Sequence, residues 1–336
     1  MNKAFVLYAL LLLAIVTLCA APFVGRYSIP LSELWRVTDD AGEVNVLWVM
    51  RIPRVAMAFM AGTALAVSGM VFQAMFRNPL ATPYTLGISS GASLGASICI
   101  IYFSEKWTFT FLGVLPVTIC AFSGAVATIV LVYFLATRAS KGATTATMLL
   151  AGVALSFFFS SLILFMQYMS DFTRTFRMLR WVMGGFETVV SFREVLTVLP
   201  FVLSGCLLVA FLIHELNLML MGEDFAVSRG VALEATKMLL YFAVSMMVGA
   251  VVAVCGPIGF VGLMAPHISR LLIGPDHRTL FPATMLLGGT FLVICDTLGR
   301  TVIPDTELPV GVITALLGGP FFLWLLFSRK SGFHEF

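Results

Sequence analysis

Apolar residues run in long, unbroken blocks along the 336-residue chain, with short polar turns between them. A helix that spans a bilayer needs ~20 mostly apolar residues, whereas barrel strands alternate polar and apolar positions over short segments. The blocks therefore predict helices, ten in number, over residues 4–24, 48–76, 84–103, 110–136, 143–169, 192–213, 235–254, 257–272, 279–299 and 308–328. The eighth is short. The second, fourth and fifth exceed what a bilayer requires and are expected to tilt. The pattern gives an all-α integral membrane fold in one transmembrane domain, residues 1–336.

Two stretches depart from it. In CGPIGFVGLMAPHISRLLIGPDHRTL (residues 255–280) an apolar segment carries Gly256, Pro257, Gly259, Gly262, Pro266, His267 and Arg270. Irregular backbone is tolerated at membrane depth only where it is packed in protein or lines a watery path. The stretch reads as a short helix that runs to a membrane surface and ends in a polar knuckle of Asp276, His277 and Arg278, which something can grip. The second departure is HELNLMLMGEDFAVSRGVALEATK (residues 214–237), too long and too polar for a hairpin. Interleaved apolar and polar residues, divided by Gly222 and Gly230, predict two short amphipathic helices on the membrane surface. They are either passive surface helices or a docking element for a soluble partner.

Small residues punctuate the second block at Gly62, Ala66 and Gly69 and the third at Gly87, Gly91 and Gly95. Such rows let helix backbones approach closely, with a flexible gate as the functional alternative.

Composition agrees with the blocks: 60% of residues are hydrophobic and 11% charged, against the ~25% charged of a soluble domain. A net charge of +3 gives no case for nucleic-acid binding. The six cysteines stand singly in apolar segments, so neither a metal site nor a disulfide framework is expected. Lys3 and the apolar run after it have the look of a signal peptide, but with membrane segments following throughout, an uncleaved first span is expected. Lysine and arginine divide ten to ten between the two sides of a ten-span arrangement, so loop charge leaves the orientation open. No GxxxxGK[ST] or HExxH pattern occurs, and no cofactor is expected.

Three long stretches carry a resemblance. RIPRVAMAFMAGTALAVSGMVFQAMFRNPLATPYTLGISSGASLGA (residues 51–96), GPIGFVGLMAPHISRLLIGPDHRTLFP (256–282) and DTLGR followed by ELPVGVITALLGGPFFLWLL (296–300 and 307–326) resemble, in order and spacing, the signatures of the FecCD-type permeases. These are membrane subunits of bacterial ABC importers for ferric siderophores, haem and cobalamin. The resemblance implies a ten-helix type II importer permease that pairs with a second copy of itself, sits in inner-membrane lipid with both termini cytoplasmic, and is not itself an enzyme. Two ATP-binding subunits drive it, and a periplasmic substrate-binding protein delivers the metal chelate.

The resemblance also assigns sites. Arg51, Arg54 and Arg300 match positions that grip glutamates of the binding protein, a role suited to the forked guanidinium. Arg174, Arg177 and Arg180 are possible additions to that surface. Residues 214–237 fall where the family places its coupling helices, with Gly222, Glu223, Asp224, Ala226, Gly230 and Val231 as contacts to the ATPase. Met219, Leu220, Met221 and Phe225 either join that contact or bury against the permease.

From spacing, Asp296 and Arg300 share one helical face at i,i+4. A charge deep in a bilayer costs about 2.5–3.5 kcal/mol, so a structural pair that aims Arg300 is expected. Glu307 is expected to cap the last span, and His267 to act as a structural hydrogen-bonder. The translocation path should be bland, because a carrier must release its cargo. Ser89, Ser90, Ser93, Ser156, Ser160 and Gln167 are path-lining candidates, with ordinary helix packing as the alternative for each. A secondary transporter driven by an ion gradient is the rival class. It would need buried ion-coordinating carboxylates, and Asp296 is the only acidic residue well inside a predicted span. Among substrates a ferric siderophore is expected first and haem or cobalamin second. WVMGGF (residues 181–186) resembles the cobalamin permeases.

Overall fold

The structure, a computed structural model, describes residues 3–25, 46–103, 115–139, 145–189, 191–303 and 306–328. Arg26, Arg36, Lys106, Lys141, Arg329 and Lys330, part of the loop-charge comparison, lie outside the described residues. The described residues form thirteen α-helices and no strand. They are α1 (Lys3–Ala20), α2 (Ile52–Met75), α3 (Ile88–Tyr102), α4 (Pro116–Ala139), α5 (Thr145–Tyr168), α6 (Phe172–Val182) and α7 (Phe192–Phe211), followed by α8 (Ile213–Leu220), α9 (Glu223–Ser228), α10 (Leu233–Cys255), α11 (Val261–Ile273), α12 (His277–Thr301) and α13 (Val310–Ser328). A π-helical turn, Leu47–Arg51, leads into α2.

Each predicted block holds one helix, and α6, α8 and α9 lie between blocks. Seven helices are long and apolar enough to cross a membrane, while α3, α11 and the Val310–Leu325 part of α13 are shorter apolar helices. Two of the short ones reflect breaks in the backbone. α3 starts at Ile88, after turns, and α11 starts at Val261, after an extended stretch. The helix α6 was not anticipated from its sequence. Asp171 caps it, accepting the N–H of Arg174 at 2.9 Å.

The core is centred on α2, which packs against α7, α10, α11 and α12. Its small residues are what allow this. A Cβ on Gly62 would lie 2.2 Å from the Gly288 carbonyl oxygen of α12, and one on Gly69 would lie 1.7 Å from that of Gly262 in α11. At both crossings backbone meets backbone, as small-residue rows permit.

The break before α11 is sealed from within. Gly256 and Phe260 take positive φ, each 67°, which ends α10 and turns the chain into α11. Between them the Tyr84 hydroxyl accepts the Ile258 N–H at 2.6 Å and donates to the Ile258 carbonyl at 2.5 Å. Thr188 Oγ1 donates to the Val254 carbonyl and the Gly185 N–H donates to that of Cys255. An unpaired backbone group in hydrocarbon costs several kcal/mol, so these donors and acceptors are what make the irregular backbone tenable.

Candidate functional site

The start of α2 and the chain after α1 both meet the end of α12, and such contacts give the bundle two ends. The far end gathers the start of α2, the end of α12 and the chain before α13. The near end gathers the start of α1, α8, α9 and the turn between α11 and α12.

At the far end four charged side chains form one network. Arg54 Nε and Nη2 donate to Asp296 Oδ1 at 3.0 and 2.9 Å. Arg54 Nη1 donates to Glu307 Oε2 at 2.9 Å. Arg300 Nε lies 3.1 Å from Asp296 Oδ2 across the i,i+4 turn. The other Arg300 nitrogens donate to the carbonyls of Val24 and Ala21, at the end of α1, and to Thr297 Oγ1. Two cations and two anions balance, as buried charge requires. Asp296 is 1% exposed and Arg300 7%, while Glu307 at the rim is 34% exposed. The arginines expected on a docking surface are thus placed differently from one another. Arg300 is buried and engaged within the chain, Arg54 is nearly so, and Arg51 is half-buried with Nη1 on the Pro22 carbonyl at 3.1 Å. Glu307 faces Arg54, a partner that its position before Pro309 did not suggest.

Beside this network the α6 arginines are more accessible. Arg177 and Arg180 are exposed, and Arg180 pairs with Glu187. With Trp181, Cys255 and Pro309 they line a cleft of about 180 Å³. The opposite stripe of α6, Phe172, Phe176 and Leu179, is apolar and exposed.

At the near end α8 and α9 are the two short helices expected over residues 214–237. Gly222 and Gly230 separate them from each other and from α10, with φ of 125° and 86° and nothing within 4 Å of a would-be Cβ. Conformation rather than space demands glycine there. Of the contact candidates, Ala226 is buried beneath its own chain, Val231 is half-buried, Asp224 is exposed, and Glu223 binds Lys237 Nζ at 2.6 Å. The apolar set divides: Met219 is buried, while Met221 is exposed, as are Phe225 and Val227. The polar knuckle after α11 is gripped from this segment. Asn217 of α8 donates from Nδ2 to Asp276 Oδ1 and accepts the His277 N–H with Oδ1, both at 2.9 Å. The Asp276 carboxyl is held below its ordinary pKa, first by the N–H of Arg278 and also by the Asn217 amide. Deeper in, Arg270 donates to Gln73 Oε1 at 2.7 Å, and His267 packs edge-on to Phe321.

The path-lining candidates differ in exposure. Ser89 and Ser93 are buried, Ser90 and Gln167 are half-buried, and Ser160 is exposed on α5. Ser156 donates its hydroxyl to the Gly152 carbonyl at 2.8 Å. Among the described residues no three His, Cys, Asp or Glu side chains gather to hold a metal ion.

These features define a multi-pass helical membrane protein with a closed ionic network at one end and an exposed amphipathic segment at the other. The chain belongs to the FecCD transport family, whose model matches residues 11–328. It is 36% identical over 325 residues to the hemin transport system permease of Yersinia pestis, covering 96% of this chain and 95% of that one. It is 38% identical over 330 residues to the vitamin B12 import system permease of Klebsiella pneumoniae, covering 97% and 94%. It is 33% identical over 336 residues to the molybdate import system permease of Haemophilus influenzae, covering 97% and 96%. A solved structure described as an inward-facing conformation of a metal-chelate type ABC transporter superposes with a TM-score of 0.82 at 31% identity, over 97% of this chain and all of that one. The resemblance read from the three sequence stretches is borne out. The family is one of ABC permease subunits, in which ATP hydrolysis belongs to a separate subunit.

Proposed function

We propose that this chain is the permease subunit of an ATP-driven importer of a metal chelate, with a ferric siderophore as the first substrate and haem or cobalamin as the second. It works as a pair of identical copies with two ATPase subunits and a periplasmic binding protein. The chain crosses the inner membrane ten times, with both termini in the cytoplasm. That makes the far end periplasmic and the near end cytoplasmic.

The observation that carries this reading is the family match over nearly the whole chain, together with what stands at the two ends. At the near end, α9 and its flanks turn Met221, Phe225 and Val227 outward on a segment that α8 anchors. This suits a docking element whose outer half meets an ATPase groove, with Gly222 and Gly230 shaping it. At the far end, Arg51, Arg54 and Arg300 belong to the face that meets the binding protein. Arg51 and the rim of the Arg54 network meet partner carboxylates, Arg174, Arg177 and Arg180 extend the basic surface, and the Asp296–Arg300 pair fixes it from below. Glu307 holds the place beside Arg54 that a partner's carboxylate takes on docking.

The ion-gradient reading is weaker, because both oxygens of Asp296, the carboxylate it would need, already face arginine. Co-expression with the partner ATPase is expected to yield a complex of two permease and two ATPase copies by native mass. A chain that purifies without any ATPase contradicts the reading.

A further inference from the structure

The segment α8–α9 has two halves with different surroundings. Its outer half is exposed. Its inner half is fastened to the first turn of α12: Leu216 and Met219 are buried, and the Asn217 side chain between them contacts Asp276 and His277. Asn217 Nδ2 donates to Asp276 Oδ1, and its Oδ1 accepts the backbone N–H of His277, with the His277 ring nitrogen Nδ1 also 2.9 Å away. Asp276 is in turn the N-cap of α12, accepting the N–H of Arg278 at 3.0 Å. The side chain of α8 is thus built into the cap of another helix, roughly sixty positions further along the chain.

That helix reaches the opposite end of the molecule. α12 runs as one helix from His277 to Thr301, with Pro282 in its second turn, and at about 1.5 Å per residue Asp296 lies about 30 Å from Asp276. Midway, α12 crosses α2 backbone to backbone at Gly288 and Gly62, where a Cβ on Gly288 would sit 2.7 Å from the Gly62 carbonyl oxygen. At its far end α12 carries Asp296 and Arg300, which hold Arg54 of α2 and the chain just after α1.

We propose that Asn217 is the positioning residue through which the docking segment drives α12, so that motion of the ATPase at the near end is delivered to the Arg54–Asp296–Arg300 network at the far end. This rests on the importer reading and deepens it by naming the joint. Coupling between distant sites needs an element that both ends bias, and α12 with its two anchored ends is that element.

The test uses the complete complex, permease with ATPase subunits and binding protein, in lipid vesicles. Uptake of radiolabelled ferric siderophore, haem and cobalamin is measured per ATP hydrolysed. Asn217→Asp replaces the donating amide with a carboxylate facing Asp276. It is expected to leave basal hydrolysis within about twofold and to lower uptake per ATP by about 2- to 30-fold. The exchange Asn217→Asp with Asp276→Asn restores an amide–carboxylate pair in the reverse sense and keeps a good N-cap, so uptake per ATP is expected to recover. Unchanged uptake per ATP in Asn217→Asp overturns the proposal, as does a loss that the double exchange fails to repair. Should Asn217→Asp not assemble, hydrogen exchange on the wild-type complex decides. The amides of Thr279 and Leu280 are expected to change protection on ATP binding, and no change there overturns the proposal. A wild-type complex that takes up none of the three with ATP overturns the metal-chelate reading, an outcome distinct from a defect confined to Asn217→Asp.

Discussion

Arg54 reaches Asp296 across 242 positions of sequence and sets two guanidinium nitrogens on one carboxylate oxygen, at 3.0 and 2.9 Å. This contact ties α2 to α12 at the far end of the bundle and gives the buried Asp296 a second cation besides Arg300. Removing one member of a buried pair leaves an uncompensated charge, typically costing about 3–5 kcal/mol. Asp296→Ala is therefore expected to lower stability by about that much. Glu307→Gln, at the half-open rim, should cost about 0–1 kcal/mol. Unfolding of the purified variants in detergent checks the contrast, and equal losses would place the two carboxylates on the same footing.

The same network separates folding from docking. Arg54→Glu would set a carboxylate against Asp296, so it reports on the fold. Arg51→Glu keeps the Arg54–Asp296–Arg300 contacts. Rim charges act mainly on association rate and weaken with salt. Binding kinetics of the partner binding protein are expected to show an on-rate about tenfold lower for Arg51→Glu at low salt, with the difference closing as salt rises. Glu307→Gln should speed docking, because it removes the carboxylate that competes for Arg54.

Tyr84 is the third test. Its hydroxyl serves both the N–H and the carbonyl of Ile258 in the break before α11. Tyr84→Phe keeps the ring and orphans both groups, at about 1–3 kcal/mol each. Faster hydrogen exchange at Ile258 and a lowered unfolding midpoint are the expected readouts. An unchanged midpoint would mean that another donor replaces the hydroxyl.

Acid should loosen the joint between α8 and α12. The Asp276 carboxyl titrates lower in the folded protein than in the unfolded chain, because the Arg278 N–H and the Asn217 amide favour its charged form. A depressed folded pKa contributes stability above the unfolded value, ~3.9, and that contribution is lost as pH falls through the lower folded value. The share of hydrogen-exchange protection that the Asp276 carboxylate contributes to the first turn of α12 is therefore expected to be lost below about pH 4. That share should be absent in Asp276→Asn.

The helical blocks were legible because unbroken apolar runs have few other meanings in a chain so poor in charge. The family was legible because three long stretches keep their order and spacing. The pair Asp296–Arg300 could be read from i,i+4 spacing, since a helix brings such positions together. Arg54 could not be placed on Asp296 the same way, for no local rule joins residues on two helices. The Tyr84–Ile258 contact and the grip of Asn217 on Asp276 were hidden for the same reason. The polar knuckle at Asp276 signalled a partner, but the partner lies on another helix. α6 did leave a signal, in Asp171 as an N-cap and arginines at positions 174, 177 and 180, three apart. Its apolar stripe is too short to count as a span.

The most direct test is uptake in cells with and without the gene, using radiolabelled ferric siderophore, haem and cobalamin in parallel, before and after ATP depletion. The importer reading predicts that deletion abolishes ATP-dependent uptake of one of the three, and that uptake names the substrate. Uptake that survives ATP depletion but collapses with the ion gradient would contradict it, and would make Asp296 an ion site in place of a structural anchor.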